Sequence, residues 1–431
     1  MNIQDWLKKR MIAASAYDAD VLLKDFLSEM ESGLRGEESS LAMIPTYINI
    51  EGPVPIDKPV AVIDVGGTNI RTCIARFDNS GTVSLSRISR FPMPGRDREI
   101  SAAEFYDVLV GALCPLKDEF ERIGFCFSYP VVMTPELDGR LLYWSKEIKI
   151  PELVGSLVGE GLVEALEERG VYGKKVVLLN DTVATLVAGC AHGQGFNASS
   201  YIGFILGTGT NTAYVERNDL VGKLTLNSGS QVINVESGSF SIFRRGPQDL
   251  ALDECSENPG QHVFEKMISG AYQGPLSLEL LQSLIPEGVF SDSGAAALAV
   301  MSDLPTVLIS NLTSGNKEDI GVLGEVCFSD ADREIIKTVF VSVVERAALL
   351  TAVNIMACVV KSNAGASPLH PLCINIDGST YYKTYRMNEL VQAHLGRMLK
   401  ARGLHARCIK IEEAPMVGAA IAALTARWAT P

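Results

Sequence analysis

The sequence predicts an α/β fold made of two lobes with a cleft between them. The chain has 431 residues, of which 47% are hydrophobic. That is too long for one ordinary core and long enough for two domains of roughly 200 residues each. Strand-like runs alternate with helical stretches, as in proteins whose sheets are covered by helices. A short glycine-rich pattern also occurs twice, once in each presumed lobe.

The strand-like runs begin after a segment rich in Pro and Gly, EGPVPIDKP at 51–59, which follows an N-terminal helix. Seven apolar runs are typical of strands: 60–65, 72–77, 83–91, 123–129, 175–180, 201–207 and 372–378. Helices are expected at 101–116 and 155–170, and the second half of the chain is richer in helix. The longest apolar stretch, 347–360, is shorter than the ~20 residues that a membrane crossing needs and predicts a buried helix.

Composition narrows the classes of function. The 38 basic and 51 acidic residues give a net charge of -13, which argues against a nucleic-acid partner because phosphate binding needs a positive field. The nine cysteines are scattered singly, without a C-x-x-C pair, as in reduced cytoplasmic proteins. The five histidines have no metal-ligand spacing, so a zinc site is not expected. The N-terminus lacks the apolar core of a signal peptide, and we expect a cytoplasmic protein without a membrane partner.

The repeated glycine-rich pattern consists of VIDVGGTNIRT (62–72) and FILGTGTNTAY (204–214). In each, an apolar strand runs into a glycine turn with an Asn and out into another strand. Glycine leaves backbone N–H groups uncovered, which suits a phosphate. One such turn alone is typical of an ordinary hairpin. Two matching turns favour a nucleotide held between the lobes, although neither has the spacing of a Walker loop.

A carboxamide and a carboxylate stand side by side where the apolar run KKVVLLN ends, in the stretch NDTVATLVAG at 180–189. Asp181 has two interpretations. It can cap the helix that follows, or it can be a general base at the carboxyl end of a strand, beside two phosphate-type turns. Asn180 adds a donor and an acceptor for a polar ligand.

Other polar residues interrupt apolar runs in the same way. Ser128 ends a strand, Ser145 and Lys146 follow an aromatic pair, and Asn234 and Glu236 stand in the strand-like run VINVESGSF. Taken singly, the charged ones are typical of a solvated surface. Together they supply the carboxylates and amides that pair with the hydroxyls of a sugar.

Nine motifs, in this order along the chain, resemble those of the hexokinases: SSLAMIPTYI, AVIDVGGTNIRT, GFCFSYP, DGRLLYWSKE, LLNDTVATL, FILGTGTNTAY, INVESGSF, ENPGQHVFEKMISGAY and IDGSTYYK. The resemblance covers the chain from about residue 39 to the C-terminus. It implies the hexokinase fold, two α/β lobes of the actin-like ATPase (ribonuclease H-like) class around a central cleft. The expected small lobe is 58–180 plus 416–431, and the large lobe is 1–57 plus 181–415.

The resemblance also implies a reaction. ATP, with Mg²⁺, is expected to phosphorylate the 6-hydroxyl of a hexose and so to feed glycolysis. Glucose is the first candidate, with mannose and fructose as alternatives. The protein is expected to be a monomer or a homodimer.

Roles follow residue by residue from the resemblance. Asp181 matches the catalytic base, and Lys146 would add a positive charge near the transferred group. The sugar contacts are matched by Ser128, Ser145, Lys146, Asn180, Asp181, Asn211, Glu236 and Glu265. Asp64 matches the carboxylate that organises Mg²⁺, usually through water. The nucleotide contacts are matched by Gly66, Gly67, Thr68, Asn69, Arg71, Gly207, Thr208, Gly209, Gly378, Ser379 and Gly418.

The chain departs from the family pattern at three places. Ser237 stands where the family usually has Trp, and Ser145-Lys146-Glu147 where it has Thr-Lys-Gly, which leaves the preferred hexose open. EEAPMVGAAIAAL (412–424) replaces a Gly-Ser-Gly-Lys-Gly stretch and keeps only Gly418, which leaves the adenine pocket and the phosphate donor open. VGAAIAAL is itself typical of a closely packed helix.

Two other functions are compatible with parts of the sequence. A hexokinase-like sensor would bind a hexose without turnover, but such a protein would be expected to have lost the base or a loop residue, and none is lost here. A sugar kinase of the repressor-related type would carry a Cys-rich zinc motif, which the sequence does not contain.

Overall fold

The computed structural model describes residues 2–50, 52–144, 148–226, 228–316, 319–325 and 328–427. Its strands are β1 (Ile44–Pro45), β2 (Val60–Val65), β3 (Asn69–Phe77), β4 (Val83–Pro92), β5 (Arg122–Phe127), β6 (Val131–Met133), β7 (Gly139–Leu141), β8 (Lys175–Leu179), β9 (Tyr201–Leu206), β10 (Thr210–Arg217), β11 (Ser230–Asn234), β12 (Leu372–Asp377) and β13 (Ala406–Ile409).

Its helices are α1 (Ile3–Lys9), α2 (Ala19–Arg35), α3 (Ala102–Leu113), α4 (Val158–Glu168), α5 (Asp181–Gly193), α6 (Pro247–Glu254), α7 (Val263–Ile268), α8 (Gly270–Ser283), α9 (Asp292–Val300), α10 (Thr306–Ser314), α11 (Val322–Glu325), α12 (Asp330–Lys361), α13 (Ser379–Lys383), α14 (Met387–Arg402) and α15 (Ala414–Thr425).

Two sheets form the centres of two lobes. The first sheet has the order β4-β3-β2-β5-β8, and the second has the order β1-β11-β10-β9-β12-β13. In both, an antiparallel hairpin (β2 with β3, β9 with β10) continues into parallel strands (β5 and β8, β12 and β13). The two glycine turns join the two strands of these hairpins, so they occupy equivalent places in the two lobes.

Helices α5 and α15 pack against each other between the sheets. The α5 helix lies on β9, β10 and β12, whereas α15 lies on β2, β5 and β8. A buried apolar cluster joins residues of both helices and both sheets. Small residues allow the close approach: a Cβ at Gly418 of α15 would lie 1.8 Å from the carbonyl oxygen of Ala184 in α5.

The predicted elements are largely confirmed. Strand 60–65 is found with its predicted bounds, and strands 83–91, 123–129, 175–180, 201–207 and 372–378 differ by one or two residues at an end. The second strand begins at Asn69 instead of 72, because the glycine turn is tighter than expected. The expected helices at 101–116 and 155–170 are found as α3 and α4, both shorter.

The apolar stretch 347–360 is a buried helix, as predicted, and belongs to a longer one. Helix α12 has 32 residues and is long and apolar enough to cross a membrane, but 89% of its most apolar window is buried inside the protein. Such burial is typical of the core helix of a globular lobe.

One strand prediction is wrong at its end. Strand β11 stops at Asn234, whereas the run VINVESGSF predicted a strand that includes Glu236. Glu236 has φ 56° and ψ 48°, a left-handed conformation that cannot continue an extended strand, and Ser237–Ser239 form a 3-10 turn after it. The chain therefore turns sharply at this carboxylate.

Candidate active site

Of the two candidate roles of Asp181, the helix cap belongs to its neighbour. Helix α5 begins at Asp181, but the cap is Asn180: its Oδ1 accepts the N–H of Thr182 at 2.8 Å, and its carbonyl accepts the N–H of Ala184 at 2.9 Å. The Asp181 carboxylate accepts hydrogen bonds from the Ser128 hydroxyl at 2.7 Å and the Thr182 hydroxyl at 3.2 Å. The backbone of α5 is thus capped without using the Asp181 side chain.

Asp64 lies on β2, opposite Arg71 of β3 and beside Cys126 of β5. Arg71 donates to Asp64 Oδ2 from Nη2 at 2.6 Å and from Nε at 2.9 Å. Its Nη1 contacts Glu413 at 2.5 Å. Burial raises the pKa of Asp64, and the Arg71 guanidinium opposes this rise. The nearby Asp181 carboxylate raises the pKa of Asp64 further.

The first glycine turn is held at the carboxyl end of β2. The N–H of Gly66 donates to the carbonyl of Asn69 at 3.0 Å, and the Tyr129 hydroxyl donates to the Gly66 carbonyl at 3.1 Å. The N–H of Ser128 donates to the carbonyl of Val65 at 3.2 Å. These bonds place the turn beside Ser128 and therefore beside Asp181. Gly67 and Thr68 form the tip of the turn, and Thr68 is exposed.

The second glycine turn is held by residues from three other segments. The Gly207 carbonyl accepts the N–H of Gly270 at 2.9 Å and the Thr380 hydroxyl at 2.7 Å. The Glu265 Oε2 accepts the N–H of Thr210 at 2.9 Å, and a Cβ at Gly209 would lie only 2.5 Å from that oxygen. Thr208 is exposed at the tip of the turn.

Gly378 and Ser379 lie beside the second turn, at the carboxyl end of β12. Gly378 has φ 113°, and a Cβ there would meet the carbonyl oxygen of Leu206 at 2.2 Å. Ser379 begins α13 and is exposed. This close approach requires glycine at 378, and it brings the predicted nucleotide contacts Gly378 and Ser379 against the second turn.

Three polar side chains of the large lobe form one cluster. Asn211 Nδ2 donates to Asn234 Oδ1 at 2.8 Å and to Glu236 Oε1 at 3.3 Å, and Asn234 Nδ2 donates to Glu236 Oε1 at 2.7 Å. Burial raises the pKa of Glu236, and the Asn234 hydrogen bond opposes the rise. The Asp181 and Glu265 carboxylates are close enough to raise it further.

A cavity open to solvent separates this cluster from the small lobe. Asn234 and Glu236 line it on one side and Asn180 on the other; the remaining lining residues are Ile44, Thr46, Tyr129, Val131 and Met133. The carboxylate and amides on an otherwise apolar lining are the groups that orient a small polar ligand.

The donors suit Mg²⁺, a hard cation that prefers carboxylate oxygen and water. Burial raises the pKa of Asp64 and of Asp377, and the Asp181 carboxylate is close enough to each of them to raise both pKa values further. Within the described ranges, no group of three or more His, Cys, Asp or Glu side chains forms a closed metal cage. A cation here would thus be held by Asp64 together with water and phosphate oxygens.

The structure brings most of the predicted residues to one place, the carboxyl ends of β2, β5, β8, β9 and β12. Ser145 and Lys146 lie outside the described residues. Gly418 differs from the others because it is buried between α15 and α5. Its position favours the close-packing interpretation over contact with a nucleotide.

Sequence reasoning did not assign site roles to Asp377, Cys126 or Glu413. Asp377 ends its strand beside predicted residues, so its position was a usable signal. Cys126 donates to Asp64 from the adjacent strand, and only the strand register brings them together. Glu413 is 342 residues from Arg71 in the sequence, and no local pattern could pair them.

Comparisons with known proteins agree with this geometry. Family models described as hexokinase match residues 9–191 and 201–425. Hexokinase-7 of Oryza sativa subsp. japonica is 28% identical over 95% of this chain and 94% of its own length. Hexokinase-2 of the same plant is 31% identical over 86% of this chain and 80% of its own length. A structure of Schistosoma mansoni hexokinase complexed with glucose has the same fold, with a TM-score of 0.79, 23% identity and coverage of 99% of this chain and 100% of the other.

Proposed function

Because the chain belongs to the hexokinase family, we propose that this hexose kinase transfers the γ-phosphoryl group of ATP to the 6-hydroxyl of a hexose, with glucose as the first candidate and mannose and fructose as alternatives. We propose that it acts in the cytoplasm, where its product feeds glycolysis. The observation that carries the proposal is the position of the Asp181 carboxylate. It is not used to cap α5, and it lies beside Ser128, which follows the first glycine turn in space, and near the polar cluster at Glu236.

Asp181 is proposed as the general base. Its carboxylate would accept the proton of the 6-hydroxyl as that oxygen attacks the phosphorus, while the Ser128 hydroxyl holds one carboxylate oxygen in place. Glu236, Asn211, Asn180 and Glu265 would pair with the other sugar hydroxyls, which otherwise would be costly to bury. The sugar contacts proposed for Ser145 and Lys146 rest on the motif alone.

The two glycine turns are proposed to hold the phosphates with backbone N–H groups. Asp64 would organise Mg²⁺ through water, and Arg71, which donates to this carboxylate, opposes the rise in its pKa that burial causes. When bound, Mg²⁺ neutralises charge that develops on the phosphate oxygens. The protein's own contribution is therefore positioning and charge stabilisation, which is most of what phosphoryl transfer requires.

The second candidate function is a hexose sensor without turnover. Such a sensor would keep the polar cluster of Asn211, Asn234 and Glu236 but would lack a carboxylate able to accept the hydroxyl proton. The contact between Asp181 and Ser128 favours the catalyst, because the hydrogen bond orients the carboxylate as a general base must be oriented.

The test is a coupled ADP-release assay with glucose, mannose and fructose on three proteins: wild type, Asp181→Ala, and Asp107→Ala. Asp107 is an exposed carboxylate of α3 that pairs with Arg169, and it serves as the matched control. Turnover by wild type and by the control, with a loss of ~10²–10⁴ or more in Asp181→Ala, supports a kinase with this base. A hexose that raises the melting temperature without any ADP release establishes the sensor instead.

A further inference from the structure

Three buried side chains lie behind the turn at Glu236. They are Thr212 on β10, Ser237 in the 3-10 turn and Asn354 on α12, and each is 0% exposed. Thr212 Oγ1 donates to Asn354 Oδ1 at 3.0 Å, Asn354 Nδ2 donates to Ser237 Oγ at 3.2 Å, and the two hydroxyl oxygens are 3.1 Å apart. Since the single hydroxyl proton of Thr212 is given to Asn354, Ser237 donates the third bond. The three side chains form a closed ring, which we call the support ring.

The support ring is connected to Glu236 through one amide. The backbone N–H groups of Thr212 and Ser237 both donate to Asn211 Oδ1, at 2.7 Å and 3.2 Å. These two bonds decide which way the Asn211 amide faces. Its Nδ2 is therefore turned toward Asn234 and the Glu236 carboxylate.

The turn at Glu236 needs such support. A residue other than glycine with φ 56° is in a sparsely populated region, which persists only where the surroundings fix it. Ser237, the next residue, is tied by the support ring to α12, the long core helix of the large lobe. The conformation of the turn is therefore fixed by the core and not by the cavity surface.

We propose that Thr212, Ser237 and Asn354 are positioning residues that set the orientation of the Glu236 carboxylate, and with it the affinity for hexose and the discrimination among hexoses. The inference rests on the proposed function, since it assumes that Glu236 binds the sugar. None of the three side chains lines the described cavity, so they act through Asn211 and through the turn.

The experiment compares four variants. Thr212→Val keeps the shape of the side chain and removes its hydroxyl, whereas Thr212→Ser keeps the hydroxyl and removes a methyl group. Ser237→Ala opens the ring at a second point. Thr351→Val is the matched control, because Thr351 is also buried on α12 and its hydroxyl has no hydrogen-bond partner among the residues that the structure describes. For each protein we would measure the KM of glucose, mannose and fructose, the KM of ATP, and the melting temperature with and without hexose.

We expect Thr212→Val and Ser237→Ala to raise the hexose KM about tenfold, the effect of one lost hydrogen bond in a buried network. They should also make the KM values of glucose, mannose and fructose more similar to one another, and they should leave the KM of ATP unchanged. Thr212→Ser and Thr351→Val should resemble wild type. An unchanged hexose KM in both ring variants overturns the inference, and so does a Thr212→Ser variant as impaired as Thr212→Val, because packing would then be the cause.

The failure of the proposed function looks different. If wild type turns over no hexose but a hexose still raises its melting temperature, the kinase proposal fails, and the support ring is judged by whether the ring variants reduce that rise. If no hexose is bound or turned over by wild type, both proposals fall.

Discussion

Gly418→Ala tests whether α15 is held against α5 by close backbone packing. A Cβ at Gly418 would lie 1.8 Å from the carbonyl oxygen of Ala184, roughly 1.6 Å inside ordinary van der Waals contact. That oxygen belongs to the backbone of α5 and cannot rotate away, so the helices would have to separate. The α15 helix is equally close to β5, where a Cβ at Gly124 would lie 2.1 Å from the carbonyl oxygen of Ala419.

The expected change in the free energy of unfolding of Gly418→Ala is the net result of two opposing effects. Replacing Gly by Ala inside a helix normally stabilises a protein by up to about 1 kcal/mol. Overpacking costs about 1–3 kcal/mol and more where backbone must move. For Gly418→Ala we expect a net loss of about 2 kcal/mol and a fall in melting temperature of roughly 2 °C. Gly396→Ala is the control: Gly396 lies inside α14, and among the described residues no atom apart from the adjacent backbone of α14 lies within 4 Å of the new Cβ, so only the stabilising effect remains.

The assay is thermal and urea unfolding of both variants, together with the KM of ATP. A stable Gly418→Ala variant would refute the packing argument. If its KM for ATP rose selectively at an unchanged melting temperature, Gly418 would contact the nucleotide after all. A destabilised Gly418→Ala beside a stabilised Gly396→Ala would establish the packing role.

Three further predictions concern charges and the helix cap. Arg71→Met removes the cation that opposes the effect of burial on Asp64, so the pKa of Asp64 should rise and the acid limb of the pH–rate profile should move to higher pH. Arg76 is exposed on the same strand, and Arg76→Met should leave the acid limb in place. An acid limb that does not move in Arg71→Met contradicts the reasoning. Burial raises the pKa of Glu236, so the folded protein loses stability as pH rises through that pKa and the carboxylate ionises. Glu236→Gln removes this charge and should therefore raise the melting temperature at neutral pH, with a smaller gain in acid. It should also abolish the rise in melting temperature that a hexose causes. Asn180→Ala should lower the free energy of unfolding by about 1 kcal/mol through loss of the cap, and equal stability in urea would show that the cap is unimportant.

The sequence predicted the parts of the fold that follow from local patterns. Apolar runs bounded by Gly, Asn or Asp marked the strands because a strand buried on both faces needs uninterrupted apolar residues. Polar residues at the carboxyl ends of those strands marked the site, since parallel strands bring such ends to one edge of a sheet. Asp64, Asn180 and Asp181 were found in this way.

What the sequence could not supply depends on backbone angles and distant partners. Asn180 and Asp181 are both good capping residues, and only the geometry assigns the cap to Asn180. The left-handed conformation at Glu236 is unfavourable for its residue type, so no propensity predicts it. Asn354 lies in an apolar helix and gave no signal of its tie to Ser237.

The path of the backbone between the lobes limits how this protein can be engineered. The chain passes from one sheet to the other between β1 and β2, between β8 and α5, and between β13 and α15. The second passage is Asn180–Asp181 itself, and the third contains Glu413, which contacts Arg71. A hinge motion at either passage would turn bonds next to the groups proposed for catalysis, so stiffening them would also reorient those groups. The first passage holds Pro53 and Pro55 and none of the residues with a proposed role, so substitutions there would change the stiffness of a connection between the sheets without reorienting those groups.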